Sequence, residues 1–484
     1  MTDASMDELL AGLGARALDS ADTCVSGLSY RSDNVRAGDA FFCIPGFKAD
    51  GHAYATDAVQ RGAAAVVVEH YVDGVSAPQY MVPSTRAALA IAAAAFYDHP
   101  SRAMHLAGIT GTNGKTTTVY LLDAVLRAAG HKTGLIGTVE TRILDERQVS
   151  SRTTPESSDL QALLARMRDA GVTAASIEVS SHAIDLNRVD GVDFAVVAFT
   201  NLTQDHLDYH HSLEEYFAVK RRLFTEFNAG ARVVNIDDPL GREIAAEVEG
   251  VLTVGRAAHA QVRAEDEHLT ARGATFTLVT PSGSSIIRLP LAGAFNVSNA
   301  LVAAGCALSV GVPLEAIVAG LESAPQVPGR LERIDVGQPF AVVVDYAHTP
   351  DSLEKAISAL RSVTEGRVIV VFGCGGDRDP GKRSVMGAAA GGAADYVVIT
   401  SDNPRSEDPV GIILQVEDGM RDTSAAYEVE VDRRAAIRRA VGLAQSGDSV
   451  LIAGKGHEDY QIFADRTVHF DDREVAREEL QLLC

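Results

Sequence analysis

The sequence predicts an α/β protein built from parallel sheets that helices cover on both faces. Strand-like runs such as 341–345 and 368–372 are apolar throughout, a pattern typical of strands that are buried on both sides. These runs alternate with helical stretches, and several of them end in clusters of polar or charged residues. Ligands bind beyond the carboxyl ends of the strands in such sheets, so the polar clusters mark candidate sites.

The length and charge of the chain restrict its class. At 484 residues it is long enough for two or three domains. Its formal net charge of −22 argues against general binding to nucleic acid or to a membrane surface. The acidic, amphipathic N-terminus predicts neither a signal peptide nor a membrane anchor. The five cysteines are scattered without metal-ligand spacing, which suits a cytoplasmic protein.

Two breaks rich in proline and glycine divide the chain, one near 98–100 and one near 324–329. We therefore expect a small α/β domain over 1–102, a central domain over 103–326 and a C-terminal domain over 327–484. A polyanionic substrate of so acidic a protein would need local cations. The cations beside the glycine motifs are Lys115, Arg188, Lys220, Arg330, Arg378, Lys382, Arg383, Arg405 and Lys455.

A glycine-rich loop organises the central domain. Segment 108–118 reads GITGTNGKTTT and lies between a short apolar run and a helical pattern. Such a loop binds nucleotide phosphates through backbone N–H groups, with Lys115 for the outer phosphates and Thr116 for magnesium. The strict P-loop pattern has glycine five places before Gly114, where this chain has Ile109. The alternative, a turn without a ligand, gives the lysine little structural reason to be there.

Two residues that follow later apolar runs, Glu178 and His206, are candidate metal ligands. Either one alone is more often structural. Together with Lys115 and Thr116 they predict a site for ATP and a divalent metal, because phosphoryl transfer needs charge neutralisation by metal and by positioned cations.

Lys220 lies on the apolar side of a predicted helix, LEEYFAVKRRLFTEF. A lysine in that position must pair with a carboxylate, extend to solvent or lose its proton. Pairing or extension to solvent is the ordinary interpretation. The sharper hypothesis is that a depressed pKa allows the amine to react with CO₂, which gives a carbamate that can bind metal as an anion.

Further clusters follow towards the C-terminus. Asn296 near the start of a helix suits a base edge or a ribose, although simple helix capping is also possible. Arg330 lies at the predicted joint between domains, and Asp345 and His348 lie at a strand end. Three later loops, FGCGGDRDPGKR, SDNPR and AGKGHE, each carry opposite charges side by side.

Eleven motifs in order resemble the MurE type of the Mur ligase family and cover nearly the whole chain. They are T-G-T-N-G-K-T-T, T-T-P, E-V-S-S-H-A, D-H-L-D-Y-H, Y-x-x-x-K-x-x-L-F, G-x-F-N-V-x-N, P-G-R-x-E, D-Y-A-H-T-P, F-G-C-G-G-D-R-D, D-N-P-R and G-K-G-H-E. The resemblance implies a three-domain architecture with a central P-loop parallel-sheet ATPase domain and a Rossmann-like C-terminal domain. It further implies a monomeric, ATP- and Mg²⁺-dependent amide ligase of peptidoglycan synthesis, with UDP-N-acetylmuramoyl-L-alanyl-D-glutamate as acyl substrate and an acyl phosphate as intermediate.

The resemblance also implies residue roles. The residues implied for ATP are Gly111, Thr112, Asn113, Gly114, Lys115, Thr116, Thr117, Asn296, Arg330 and Asp345. Those implied for the UDP-muramoyl dipeptide are Ser32, Thr153, Thr154, Ser180 and Arg188. The implied metal ligands are Thr116, Glu178, His206 and Lys220 as a carbamate, and the implied catalytic residues are Lys115, Lys220 and His348. Two departures from the family pattern are Arg31-Ser32-Asp33, where D-S-R is usual, and Leu186.

The third amino acid is expected to be meso-diaminopimelate. The residues implied for it are Arg378, Asp402, Asn403, Pro404, Arg405, Gly454 and Glu458. The two arginines would bind its distal carboxylate, while Glu458 and Asp402 would receive the distal ammonium. L-Lysine as substrate is the alternative, and in a purely structural alternative Arg405 pairs with Asp408 or Glu407. A folylpolyglutamate-synthase-like ligase and a nucleotide-driven switch are the rival functions.

Overall fold

The computed structural model describes residues 3–18, 22–47, 49–150, 152–205 and 207–483. Each of the three predicted ranges contains one large sheet, and the α/β prediction is confirmed. Among these described residues no helix is long and apolar enough to cross a membrane.

The first sheet has the strand order β2-β7-β6-β5-β4, in which β4 to β7 are parallel. The strands of this range are β1 (Ala4–Ser5), β2 (Arg16–Ala17), β3 (Cys24–Val25), β4 (Gly27–Ser29), β5 (Asp39–Phe42), β6 (Ala65–Val68) and β7 (Gln79–Met81). Its helices are α1 (Met6–Leu9), α2 (Ala55–Gln60) and the alanine-rich α3 (Thr85–Phe96). The 3₁₀ helix Pro100–Ala103 then leads into the central range.

The central sheet has eleven strands in the order β11-β10-β9-β12-β8-β13-β14-β15-β16-β17-β18. They are β8 (His105–Thr110), β9 (Thr133–Ile136), β10 (Glu140–Ile143), β11 (Glu146–Val149), β12 (Ala174–Glu178), β13 (Phe194–Phe199), β14 (Ala229–Asn235), β15 (Leu252–Gly255), β16 (Val262–Thr270), β17 (Gly273–Thr280) and β18 (Gly283–Leu289). The helices are α4 (Lys115–Ala128), α5 (Ser157–Asp169), α6 (Ser181–Asp185), α7 (Leu207–His210), α8 (Leu213–Thr225), α9 (Pro239–Glu247), α10 (Ala294–Ser309) and α11 (Leu314–Glu322).

The prediction of a parallel central sheet holds for its seven middle strands, β9 to β16 in spatial order. Antiparallel strands extend it at both ends, and these additions were not predicted. The physical reason is visible in β17, where buried residues such as Phe276 and Leu278 alternate with partly exposed ones. One face of this strand lacks a helix, so its sequence alternates as in an antiparallel sheet.

The C-terminal sheet has the order β19-β20-β24-β21-β22-β23, parallel except for β19. The strands are β19 (Glu332–Arg333), β20 (Ala341–Asp345), β21 (Val368–Phe372), β22 (Tyr396–Ile399), β23 (Ala426–Val429), β24 (Ser449–Ala453), β25 (Tyr460–Ile462) and β26 (Thr467–His469). The helices are α12 (Pro350–Arg361), α13 (Gly381–Ala393), α14 (Pro409–Met420), α15 (Arg433–Leu443) and α16 (Asp472–Gln481).

Strand β20 illustrates why the apolar runs are continuous. Val342 and Val344 pack into one hydrophobic core, and Val343 packs into the core on the other face of the sheet. Both faces are therefore covered, and the polar residues are confined to the strand ends and the loops that follow them. These strand-end loops carry the candidate site residues.

Candidate active site

The P-loop connects β8 to α4 and has the backbone that the glycine pattern predicts. Gly111 and Gly114 have φ values of 146° and 86°, in the region that favours glycine. A Cβ on Gly111 would collide with the Thr200 hydroxyl, and one on Gly114 would collide with Oδ1 of Asn299. Both glycines are therefore required by backbone conformation and by close packing, which leaves the loop and the start of α4 open to a ligand.

Lys115 begins α4 and folds back over its own loop. Its Nζ donates to the carbonyl oxygens of Gly111 and Thr112, both at 2.8 Å. Within the described ranges no carboxylate lies within ion-pairing distance of this ammonium. Desolvation lowers the pKa of Lys115. The loop therefore holds a cation whose partners are only neutral carbonyls, a state that the charge of a bound phosphate would improve.

Glu178 is buried at the end of β12 and lies beside the P-loop helix. Its carboxylate accepts from the Thr116 hydroxyl at 3.0 Å and from the backbone N–H and hydroxyl of Thr138 at 2.7 and 3.1 Å. A hydroxyl and a carboxylate at this distance are hard oxygen ligands of the kind that Mg²⁺ takes alongside phosphate. The oxygen atoms of Thr116 and Glu178 are therefore suitable ligands for Mg²⁺. Thr138 was missed because nothing in its sequence context indicates this contact.

Lys220 is 1% exposed on α8, and the prediction that it lies on the buried face of its helix is confirmed. Its Nζ donates to the Gly111 carbonyl at 2.9 Å and lies 4.7 Å from the centre of the Tyr216 ring. In the described part of the chain no carboxylate pairs with it. Burial, together with the charge of Lys115, holds the pKa of Lys220 well below the ordinary lysine value.

Lys115 and Lys220 thus converge on one carbonyl oxygen, that of Gly111. The predicted companion His206 lies outside the described residues. Among the residues that are described, no group of three or more His, Cys, Asp or Glu could hold a metal by itself. A metal at this position would therefore depend on oxygens from a ligand or from a modified side chain.

Residues from the C-terminal range reach the same site. Arg330 stacks over the Tyr346 ring at 4.7 Å and donates to the Thr116 hydroxyl at 3.3 Å. Asp345 accepts from the backbone N–H of Leu331 at 2.7 Å, and burial raises its pKa. The predicted residue Arg330 thus reaches the P-loop helix from a distant part of the chain, and Asp345 holds the backbone next to it.

His348 and Asn296 occupy different environments. His348 has an exposed edge, and its Nδ1 lies 2.8 Å from the Tyr346 carbonyl. That contact fixes Nδ1 as the protonated nitrogen and leaves Nε2 as an acceptor. Asn296 is buried and donates to the Ala292 carbonyl, and it accepts from Asn299, which touches the P-loop. Asn296 therefore supports the P-loop through Asn299.

Asp351, in the first turn of α12, makes contacts near the P-loop that were not predicted. It accepts from the Thr203 hydroxyl at 3.0 Å, and Asn113 Nδ2 lies 3.5 Å away. Thr203 in turn bonds to Thr112 through its backbone. A helix of the C-terminal range thus contacts the tip of the P-loop, a relation that no local sequence pattern could indicate.

The predicted dipeptide residues form a second cluster next to Glu178. Thr153 bonds to Thr138 at 3.1 Å, and the Thr154 hydroxyl donates to the Glu178 carbonyl at 2.8 Å and lies 3.3 Å from the Ser180 hydroxyl. Arg188 donates to the Thr154 carbonyl at 3.3 Å. Four of the five predicted residues are therefore brought together beside the candidate metal site.

Glu156, which was missed, organises the cations near this cluster. It pairs with Arg188 and Arg152, each at 3.0 Å, and with Arg86 from α3 at 3.4 Å. Three guanidinium groups around one carboxylate leave local positive charge in an acidic protein. The fifth predicted residue, Ser32, is partly buried in the 3₁₀ helix Ser32–Asn34 of the first range.

A third cluster of predicted site residues lies at the ends of β21, β22 and β24. Arg405 adopts a left-handed backbone conformation, with φ of 54°, and Nη1 donates to the Gly376 carbonyl at 2.6 Å. The structural alternative for Arg405 was wrong, because Glu407 forms a bidentate pair with Arg383 and Asp408 caps α14. Among described residues the Arg405 guanidinium has no carboxylate partner.

The remaining residues of this cluster surround Arg405. Asn403 Nδ2 donates to Glu458 at 3.1 Å, and burial and the charge of Asp402 raise the pKa of Glu458. A Cβ on Gly454, which has φ of 117°, would meet the Asp402 carboxylate at 2.9 Å. Arg378 is exposed in the loop before α13, and the Pro404 carbonyl packs against Gly376.

Two of the cations expected to meet substrate are instead internal. Lys455 is 0% exposed and Arg383 is 1% exposed, and both pair with carboxylates of neighbouring loops. The prediction that they contact a polyanionic substrate was therefore wrong. In sequence, both residues have the flanking glycines and polar neighbours of a ligand-binding loop. Their burial, however, depends on how the ends of three strands pack together.

The chain matches three protein-family models along its length. They are the Mur ligase family catalytic domain over residues 25–97, the Mur ligase middle domain over 109–307 and the Mur ligase glutamate ligase domain over 329–456.

Two curated relatives carry the name UDP-N-acetylmuramoyl-L-alanyl-D-glutamate–2,6-diaminopimelate ligase. The protein of Bacillus licheniformis is 46% identical over 464 residues, which are 94% of each chain. That of Geobacillus kaustophilus is 47% identical over 460 residues, 93% of this chain and 94% of the relative. A solved structure with the same name has a TM-score of 0.72 at 32% identity and covers 100% of this chain and 99% of its own. Since the family models and these relatives span nearly the whole sequence, the chain belongs to the Mur ligase family.

Proposed function

We propose that this protein is an ATP-dependent ligase that joins meso-diaminopimelate to the D-glutamyl γ-carboxylate of UDP-N-acetylmuramoyl-L-alanyl-D-glutamate, a step of peptidoglycan synthesis. The names of its full-length relatives support this reaction. One structural observation carries the choice of amino acid. The Arg405 guanidinium is held at a strand end by a carbonyl and has no carboxylate partner among the described residues, so a substrate carboxylate would complete it.

In the first step the γ-phosphoryl group of ATP moves to the substrate carboxylate. The bond between Pγ and the bridging oxygen breaks, ADP leaves, and a new P–O bond forms to give the acyl phosphate. Lys115 exchanges its two carbonyl contacts for the transferring group, and the N–H groups of the P-loop from Gly111 to Thr117 stabilise the phosphate charge. Arg330 and Asp345 hold the nucleotide from the other side, and Asn296 contributes to the same site through Asn299.

The metal ligands of this proposal are Thr116, Glu178 and the carbamate of Lys220, with His206 completing the set. Mg²⁺ bound there supplies charge neutralisation to the phosphates. The proximity of Thr116 and Glu178 supports this assignment.

Carbamylation of Lys220 follows from the lowered pKa of its amine, which favours the unprotonated form. The unprotonated amine adds to the carbon of CO₂, an N–C bond forms, and loss of one proton gives the anionic carbamate. Mass spectrometry under native conditions should show the added mass of one CO₂, which is absent in Lys220→Ala. A small carboxylate added to Lys220→Ala should restore part of the activity. An unmodified amine paired to Asp or Glu in the ATP-bound state would contradict this proposal.

The dipeptide is held by Thr153, Thr154, Ser180 and Arg188, with Ser32 at the uridine end. The hydrogen bonds that join Thr154, Ser180 and the end of β12 support this grouping. A dipeptide bound at this cluster would have its carboxylate close to Glu178 and the P-loop, where the phosphoryl group is transferred.

In the second step the amine of the amino acid attacks the acyl carbon. An N–C bond forms, the C–O bond to phosphate breaks, and a proton leaves the nitrogen. His348 accepts this proton at Nε2, because Nδ1 is occupied by the Tyr346 carbonyl. Partial desolvation lowers the pKa of His348, which keeps the acceptor nitrogen unprotonated near neutral pH.

The amino acid binds in the third cluster. Arg405 and Arg378 bind its distal carboxylate, Glu458 binds its distal ammonium, and Asn403, Pro404 and Gly454 shape the pocket. We assign the three ranges 1–102, 103–326 and 327–484 to the UDP end, to ATP with the acyl acceptor, and to the incoming amino acid. A monomer in the cytoplasm, where ATP and UDP-linked substrates occur, completes the proposal.

The decisive experiment compares candidate amino acids in the presence of ATP and the UDP-muramoyl dipeptide. ATP turnover should require both substrates, and kcat/KM for L-lysine should be lower than for meso-diaminopimelate by roughly 10⁴-fold, because lysine leaves a desolvated guanidinium unpaired. Rapid ATP hydrolysis without an acceptor would favour a nucleotide switch, and equal use of lysine would overturn the choice of amino acid.

A further inference from the structure

Lys455 is the one lysine of the amino-acid cluster that solvent does not reach, with an exposure of 0%. Its Nζ donates to Asn403 Oδ1 at 3.0 Å and to the Tyr460 carbonyl at 2.8 Å, and it pairs with Asp402 Oδ1 at 3.2 Å. Two hydrogens of the ammonium are therefore donated to neutral oxygens, and its charge lies within ion-pairing distance of Asp402. Because the group is fully enclosed, it holds these loops together and does not reach a substrate.

These contacts join three loops. Asp402 and Asn403 follow β22, Lys455 follows β24, and Tyr460 begins β25. The same Asn403 oxygen also accepts from the backbone N–H of Ile462 at 3.0 Å. Both of these groups can only donate, so they require the amide oxygen of Asn403 on their side. The Asn403 NH₂ is thereby directed to Glu458.

Lys455 also separates the roles of the two carboxylates. Asp402 is paired with this buried cation, whereas no lysine or arginine in the described ranges lies within ion-pairing distance of Glu458. Asn403 donates to one Glu458 oxygen, Oε2. Glu458 is therefore the carboxylate with capacity for a cation from the ligand, and Asp402 is not.

We propose that Lys455 is a positioning residue for the amino-acid site: it neutralises Asp402, fixes the Asn403 amide, and leaves Glu458 as the single carboxylate that receives the distal ammonium. This inference rests on the proposed function. It reassigns Asp402 from ligand binding to loop structure, in contrast to the role that the family resemblance implied for it.

Loss of the Lys455 charge has a defined consequence. Asp402 would become a buried carboxylate without a partner, beside Glu458. It would compete for the substrate ammonium, and the Asn403 amide would be free to turn away from Glu458. Substrate binding at this one cluster should suffer, while the ATP and dipeptide sites, which use other residues, should not.

The test measures steady-state KM values of the full-length enzyme for meso-diaminopimelate, ATP and the dipeptide. Lys455→Met keeps the length of the side chain and removes its charge. It should raise KM for meso-diaminopimelate by about tenfold or more, and change the other two KM values by less than about twofold. Arg438→Met is the matched control, because it removes a cation that pairs with the buried carboxylate of Glu479 elsewhere in the C-terminal range. It should leave all three values unchanged.

A double-mutant cycle separates charge neutralisation from simple packing. Asp402→Asn should change KM for meso-diaminopimelate by less than about threefold, whereas Glu458→Gln should raise it by about tenfold or more. Lys455→Met combined with Asp402→Asn should bind meso-diaminopimelate better than Lys455→Met alone, because the unpaired carboxylate is gone. If Lys455→Met does not fold, the double variant should fold and provide the KM.

Three results would overturn the proposal: an unchanged KM in Lys455→Met, a double variant no better than the single one, or an Asp402→Asn effect as large as that of Glu458→Gln. The wild-type enzyme distinguishes these results from failure of the proposed function. If it ligates meso-diaminopimelate, the function stands whatever Lys455 does, and if it does not, the function itself is wrong.

Discussion

The cations at the P-loop and the buried cations of the C-terminal range differ in their partners. Lys115 and Lys220 contact carbonyl oxygens at the P-loop, and within the described residues neither has a carboxylate partner. In the C-terminal range Lys455, Arg383 and Arg433 are buried, and each pairs with a carboxylate. Both sets lie at the carboxyl ends of mainly parallel strands.

The difference indicates what each cation does. A buried charge without a counter-charge is unfavourable in the free protein and becomes favourable when an anion binds. A buried pair is already neutral and holds the loops that it joins. Arg405, which lacks a carboxylate partner in the described structure, is the exception in the C-terminal range. Among these cations, those without a carboxylate partner therefore mark ligand sites, and the buried pairs mark the supports of those sites.

The largest expected effect is at Lys115. Lys115→Ala should lower kcat by roughly 10³-fold or more, because no other group replaces its charge on the transferring phosphoryl. Lys132→Ala, which removes an exposed lysine of the same range, is the control and should keep normal turnover. Circular dichroism should show that both variants fold. Turnover of Lys115→Ala within tenfold of wild type would show that Lys115, although it lacks a carboxylate partner, does not act on the phosphoryl group.

Arg405 should show the next largest effect. Arg405→Ala should lower kcat/KM for meso-diaminopimelate by about 10²- to 10³-fold through loss of charge-assisted hydrogen bonds, and KM for ATP should stay nearly unchanged. The preference over L-lysine should shrink by a similar factor. Arg421→Ala, at an exposed arginine paired with Asp418, should have no such effect. Equal losses with both amino acids would contradict a role in binding the distal carboxylate.

Opposite effects on stability should separate Lys220 from Lys455. In CO₂-free buffer without ATP, Lys220→Met should raise the Tm by a few degrees, because it removes a buried amine that has no counter-charge when it is protonated, whereas Lys455→Met should lower the Tm by leaving Asp402 unpaired. Differential scanning calorimetry gives both values. Shifts of the same sign would show that partner chemistry does not distinguish the two lysines.

The effect of Lys220 on stability should depend on pH. Its folded pKa lies below the ordinary value of 10.5, so between the two values the unfolded chain binds more protons than the folded one. The contribution of Lys220 to the free energy of unfolding of the wild-type protein should therefore rise with pH through that interval. The advantage of Lys220→Met should be largest below the folded pKa and should vanish as pH approaches 10.5.

The smallest effect is expected at the exposed pair of Arg31 and Asp33, whose side chains are 57% and 58% exposed. Exchange of the two residues restores the D-S-R order of the family and retains an ion pair in water, where such pairs contribute little. KM for the UDP-muramoyl dipeptide should change by less than about threefold in a steady-state assay. A change of tenfold or more would mean that the side chain of Arg31 or Asp33 itself contacts the substrate.

The sequence by itself determined the class of fold and the family. Continuous apolar strands, the glycine loop and the buried position of Lys220 follow from local patterns, because strand burial, backbone conformation and helix periodicity are local properties. The antiparallel ends of the central sheet were missed because the prediction was based on continuous apolar runs, whereas β17 alternates between buried and partly exposed residues.

Only the tertiary structure decided which charges are partnered. Lys455 and Lys115 have similar glycine-rich surroundings in sequence, yet one is paired with Asp402 and the other contacts only carbonyls. Glu156, Thr138 and Asp351 likewise acquire their contacts from strands and helices far away in the chain. The reason is physical: the state of a charge depends on the solvent and counter-charges within a few ångströms of it, and packing of distant segments sets both.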